Sequence, residues 1–116
     1  MNQTDIKLAE LVAQAASDKK ARDIVIMDLT GISPVTDYFV ICSANSTTQV
    51  QAIADNIEEQ LAEQGIKSFR KEGYREARWV LIDYGNCVAH IFVEDDRQFY
   101  KLERLWGDAK QVAYQG

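Results

Sequence analysis

Two apolar, β-rich runs, Arg78 to Tyr84 and Cys87 to Val93, flank the dipeptide Gly85-Asn86, and no other part of the 116-residue sequence limits the fold as much. A Gly-Asn pair between such runs favours the tight turn of a hairpin. With a two-residue turn, Tyr84 pairs with Cys87, Ile82 stands opposite Ala89 and Val80 opposite Ile91, a face that reads as plain core. Side chains alternate along a strand, so the other face sets Trp79 against Phe92, Leu81 against His90 and Asp83 against Val88. A lone hairpin is at best marginally stable in water, so the rest of the chain must bury at least one of these faces.

The remaining elements are consistent with that requirement. Ile6, Leu8, Ala9, Leu11, Val12, Ala15 and Ala16 recur at helical spacing, which predicts an amphipathic helix over 4–19 with Thr4 or Asn2 as its cap. Asp23 to Leu29, with the run Ile24, Val25, Ile26 and Met27, reads as a buried strand, and Thr30 to Thr36, containing Gly31 and Pro34, as a loop. Tyr38 to Cys42 is a second strand. Ser46 with Gln49 three residues on forms a capping box, and Val50, Ile53, Ala54, Ile57 and Leu61 mark one face of the helix that Gly65 closes. Ile66 to Arg70 is a weak third strand, followed by a charged loop from Lys71 to Ala77. Asp95, with Gln98 three residues on, starts a last helix whose Phe99, Leu102, Leu105 and Trp106 face inward until Gly107. The expected class is α/β, a single-domain mixed sheet flanked by helices in the order α-β-β-α-β-β-β-α.

With 47% hydrophobic and 27% charged residues the chain has ample material for a core and lacks the composition of a disordered one. Met1 to Lys20 carries no apolar signal-peptide core, and no run approaches the ~20 apolar residues of a bilayer span, so the expectation is a cytoplasmic protein with no membrane partner. Cys42 and Cys87 lie far apart within apolar runs and read as buried, reduced thiols. A net charge of -5 without a Lys/Arg stripe argues against DNA and against RNA as the main partner, and fits either steering towards a basic protein or simple solubility.

Each familiar catalytic constellation lacks a member. His90, the only histidine, has no sequence-defined nucleophile beside it, and one His with two distant Cys does not make a zinc site. Asp28, Asp37 and Asp83 stand singly, Asp95-Asp96 is explained as a helix start, and no phosphate-cradling glycine loop occurs. The expectation is a non-enzyme without cofactor or metal. The mixed hairpin face is the better candidate. Trp79, Phe92, Asp83 and His90 on one face suit a partner-binding surface, while a covering helix that leaves His90 hydrogen-bonded inside explains the same residues equally well. Tyr100 and Glu103, off the apolar stripe of the last helix, would extend such a surface.

The strings TDYFVICS (Thr36 to Ser43), QVQAIADNIE (Gln49 to Glu58), WVLIDYG (Trp79 to Gly85), VAHIF (Val88 to Phe92) and RQFYKLERLW (Arg97 to Trp106) together resemble the ribosomal silencing factor family, the Iojap-like proteins. The resemblance runs from about residue 4 to about residue 110 with the blocks in the family's order. Ala44 stands where the family often has Gly, and Asn86 where it often has an acid. The resemblance implies a domain over 1–110 similar to a nucleotidyltransferase core without catalytic residues, followed by a flexible tail over 111–116. It further implies a non-catalytic repressor that binds the large ribosomal subunit through ribosomal protein fourteen and sterically blocks subunit joining when nutrients are scarce. Large-subunit assembly is the alternative, a nucleotide-binding transferase-like enzyme a more remote one, and a homodimer is compatible with either main reading. Carried over by position, the family blocks put Trp79, Asp83, His90, Phe92, Tyr100 and Glu103 at the expected docking surface.

Overall fold

The computed structural model describes residues 3–31, 36–94 and 110–113. Along the chain run α1 (Gln3–Asp18), β1 (Arg22–Asp28), β2 (Tyr38–Ala44), α2 (Thr47–Glu63), β3 (Arg70–Glu72), β4 (Trp79–Asp83), β5 (Cys87–Val93) and β6 (Lys110–Ala113). The strands form one six-stranded sheet in the order β3-β4-β5-β2-β1-β6. Only β2 and β5 pair in parallel; the other neighbours are antiparallel. The molecule is therefore the mixed α/β domain that the sequence predicts.

The two helices and one face of the sheet build the main core. Val12 and Ala16 of α1, Ile53, Ile57 and Leu61 of α2, and Val40, Ile82 and Ile91 of the sheet are buried together. Burial of each large aliphatic side chain contributes roughly 1.5–3 kcal/mol. Ala9, Ala13 and Ala16 stack along one face of α1 and are fully buried, so the helix can approach its neighbours closely. Asn56, buried on α2, donates from Nδ2 to the carbonyl of Ala15 at 2.8 Å and fixes α1 against α2.

Local signals place the helix ends. Ser46 caps α2, its Oγ accepting from the Gln49 amide at 3.1 Å. The Gln49 side chain accepts from the Asn45 amide at 2.7 Å and donates to the carbonyls of Lys19 and Lys20, so one residue joins the start of α2 to the end of α1. At the other end Gly65 is left-handed, its amide bonding Ala62 and that of Ile66 bonding Leu61, the two bonds of a Schellman motif. The hairpin register is the expected one throughout, from Trp79 opposite Phe92 to Asp83 opposite Val88. Tyr84 donates from its amide to the Cys87 carbonyl at 2.9 Å, while the Asn86 carbonyl accepts from the amides of Asp37 and Tyr38 and so braces the start of β2. The thiols of Cys42 and Cys87 are buried and not joined in a disulfide.

Three expectations change. α1 begins at Gln3, which sets Thr4 inside the helix; Asn2 lies outside the described residues. The third strand is not 66–70 but Arg70–Glu72, because Ile66 is taken up in closing α2 and pairing with β4 begins only where Arg70 meets Asp83. The tail is not frayed from residue 111: Lys110–Ala113 adds β6 along β1, where it satisfies backbone groups that an open edge would leave to solvent. The expected last helix, with Phe99, Leu102, Leu105 and Trp106, lies outside the described residues, as does 32–35 of the expected loop.

Candidate partner-binding face

Alternation along β4 sends Val80 and Ile82 into the helix-covered core and leaves Trp79, Leu81 and Asp83 half-buried on the opposite face. On that face Met27, Leu29, Ile41 and Phe92 form a second buried cluster, with Val25, Phe39 and Trp79 packed at its margin. Trp79 is the largest side chain of the margin and its surroundings hold it in one orientation. Its ring stacks on Phe92 with centroids 5.0 Å apart and an interplanar angle of 24°. Its indole Nε1–H donates to Nδ1 of His90 at 3.0 Å. Phe39 meets the His90 ring edge-on at 4.6 Å.

This arrangement fixes the state of His90. Accepting at Nδ1 places the proton of the neutral ring on Nε2. His90 is 3% exposed, and its Nε2 finds no hydrogen-bond partner among the described residues. Burial lowers the pKa of the imidazole from 6.5 to about 4, so the ring is neutral at pH 7 and accepts the indole proton there.

Backbone geometry delivers Trp79 to this position. Gly73 adopts φ +80°, and a Cβ there would collide with the carbonyl oxygen of Trp79. The turn that follows is tied to α2: the Tyr74 hydroxyl donates to Asp55 at 3.1 Å and Gln51 donates to the Tyr74 carbonyl at 2.9 Å. Asp83, four residues beyond Trp79 along β4, is engaged at the hairpin end. Its Oδ1 accepts from the Gly85 amide at 2.8 Å and its Oδ2 from Arg70 Nε at 3.4 Å.

The structure thus brings Trp79, His90 and Phe92 into contact and sets Asp83 on the same face, nearer the turn. Tyr100 and Glu103 lie outside the described residues. Phe92 is 0% exposed, and it and His90 support the Trp79 ring from behind. Sequence reasoning missed Arg70 and Glu72, which stand opposite Asp83 and Leu81 and widen the face. Their signal was the alternation of β3, legible only with the strand placed at 70–72. Among the described residues no group of three or more His, Cys, Asp or Glu is placed to hold a metal ion, and no helix is long and apolar enough to cross a membrane.

A sequence profile described as "Ribosomal silencing factor during starvation" matches residues 2–116. The chain belongs to the ribosomal silencing factor family. The match covers β6 as well as the 4–110 region that carries the resemblance. The family's ribosomal silencing factor from Bacillus subtilis is 52% identical over 109 residues, 94% of this chain and 91% of that protein. A crystal structure of a Bacillus halodurans protein superimposes with a TM-score of 0.80 at 47% identity, covering 96% of this chain and 98% of that one. The similarity extends to a mouse protein called "Mitochondrial assembly of ribosomal large subunit protein 1", 28% identical over 84% of this chain but only 44% of that longer protein.

Proposed function

We propose that this domain represses translation in the cytoplasm by docking on the large ribosomal subunit through ribosomal protein fourteen, where it sterically blocks joining of the small subunit. The observation that carries the reading is membership of the ribosomal silencing factor family across residues 2–116. The net charge of -5 suits a basic protein partner, since complementary potentials speed encounter and fix orientation. No chemistry is required of the domain, because a bound body of this size at a subunit interface excludes the other subunit by volume alone.

The docking surface in this reading is the outer face of β4. Trp79 is the anchor, Asp83 belongs to its acidic rim, His90 and Phe92 hold the anchor in place, and Tyr100 and Glu103 complete the surface. A half-buried tryptophan with its ring orientation already fixed loses little conformational entropy on binding, which is how aromatic hot spots act. The Trp79→Ala variant is expected to weaken large-subunit binding at least about tenfold, in the range of hot-spot truncations, while the domain stays folded. Sedimentation with purified large subunits, followed by addition of small subunits, measures both steps. Unchanged co-sedimentation of a folded Trp79→Ala variant would remove this face from the proposal, and binding that left subunit joining untouched would sink the repressor reading.

The name of the mouse relative favours a second reading, a factor that acts during large-subunit assembly. Accumulation of incomplete large subunits on depletion during rapid growth would support it over silencing. A second copy of the chain is the competing occupant of the same face, and a concentration-dependent dimer that Trp79→Ala dissociates would reveal it.

A further inference from the structure

On the helix-covered side of the sheet, away from Trp79, the chain leaving α2 turns back towards β3 and leaves a cavity of about 310 Å³ lined by Glu58, Ala62, Ile66, Lys67, Ser68 and Tyr84. Tyr84 is 6% exposed, and its hydroxyl is buried with no hydrogen-bond partner among the described residues. A buried hydroxyl left unpaired is destabilising, so a partner supplied from outside would recover that loss. Burial and the nearby Glu58 carboxylate raise the phenol pKa, which keeps the group an O–H donor at every physiological pH. Glu58 retains acceptor capacity. Its Oε1 takes a 2.8 Å bond from Lys71 Nζ, but its Oε2 receives only the Ser68 hydroxyl at 3.4 Å, long for such a bond.

The charges decide what class of ligand fits. A cation entering here meets Lys67 on the cavity wall and Lys71 beside it; an anion meets the Glu58 carboxylate. A neutral group avoids both penalties if it offers an acceptor next to a donor. The acceptor would take the Tyr84 O–H and the donor would reach Glu58 Oε2, while Ala62 and Ile66 provide an apolar wall for a flat ring.

We propose that this cavity between the end of α2 and β4 binds a small, neutral, planar amide, either a carboxamide or a lactam ring, read by Tyr84 as donor and Glu58 as acceptor. This site is separate from the ribosome-docking face and does not depend on it. The test is a titration of the full chain followed by 1H–15N correlation spectra, with nicotinamide as the carboxamide, uracil as the lactam and pyridine as a ring with no amide. Saturable shifts at the backbone amides of Ala62, Ser68 and Tyr84 are expected with nicotinamide or uracil and not with pyridine, and which of the two saturates identifies the source. Tyr84→Phe and Glu58→Gln are each expected to weaken binding about fivefold, the equivalent of ~1 kcal/mol. Tyr84→Phe removes a single unpaired oxygen and leaves the ring packed, so it keeps the fold, and Glu58→Gln is read independently. Absence of saturable shifts with both amides, an equal response to pyridine, or undiminished affinity in folded Tyr84→Phe would overturn the proposal.

Discussion

Acidification is the perturbation for which the site gives a worked magnitude. His90 is buried and neutral, with a pKa lowered from 6.5 to about 4 by desolvation. The unfolded chain, whose histidine titrates near its ordinary value, therefore takes up a proton across the window from about pH 6.5 to about pH 4 that the folded chain refuses. Stability is fully present above that window, falls as pH drops through it, and loses nothing more from this residue below it. At ~1.4 kcal/mol per pKa unit the whole loss is about 3 kcal/mol, a large share of the 5–15 kcal/mol that holds a typical domain folded. Protonating Nδ1 would also set an N–H against the indole N–H of Trp79, which now donates to that atom. Urea unfolding at a series of pH values, followed by tryptophan fluorescence, measures the loss. The control is His90→Asn, which keeps an acceptor near Trp79 but does not titrate, so the difference between the two profiles isolates the histidine. Parallel profiles for the wild type and His90→Asn, or an NMR titration of His90 with a midpoint near 6.5, would refute the reasoning.

Two further outcomes follow from the packing around Trp79. Gly73→Ala is expected to cost about 2–4 kcal/mol, since a methyl group would strike the Trp79 carbonyl and the backbone is left-handed there; thermal unfolding and the Trp79 indole resonance report the loss and the displacement. Phe92→Ala is expected to destabilise the domain by about 3–5 kcal/mol, because its ring is fully buried under Trp79, and denaturant unfolding will show an effect below 1 kcal/mol if the ring lies in solvent.

The parts of the fold that were legible beforehand are those decided by neighbours in sequence. The Ser46 cap, the left-handed Gly65 and the register from Trp79 opposite Phe92 to Asp83 opposite Val88 each depend on a few adjacent residues. β3 was displaced because Ile66 could serve a strand or a helix stop equally well, and the hydrogen bond from its amide to Leu61 decides for the stop. β6 was missed because Lys110–Ala113 has little apolar pattern of its own and owes its strand to the edge that β1 offers. For the candidate site, alternation correctly put Trp79, His90, Phe92 and Asp83 on one face. It could not show how deeply each sits, because burial of Phe92 and His90 depends on β2 and β1 neighbours far away in sequence, such as Ile41 and Met27.

The parallel pairing of β2 with β5 has a consequence for how quickly the domain forms. These two central strands are separated by the whole of α2, β3 and β4, so joining them closes a long stretch of chain before any contact rewards the lost entropy. The β4–β5 hairpin and α2 need only local closure and can form on the microsecond scale, well ahead of that step. The step expected to be slowest is then the meeting of β2 with the hairpin, the non-local pairing that this topology requires. The Asn86 carbonyl, which receives the Asp37 and Tyr38 amides, lies at the end of that ladder, so the turn that reverses the hairpin also sets the register in which the two central strands pair.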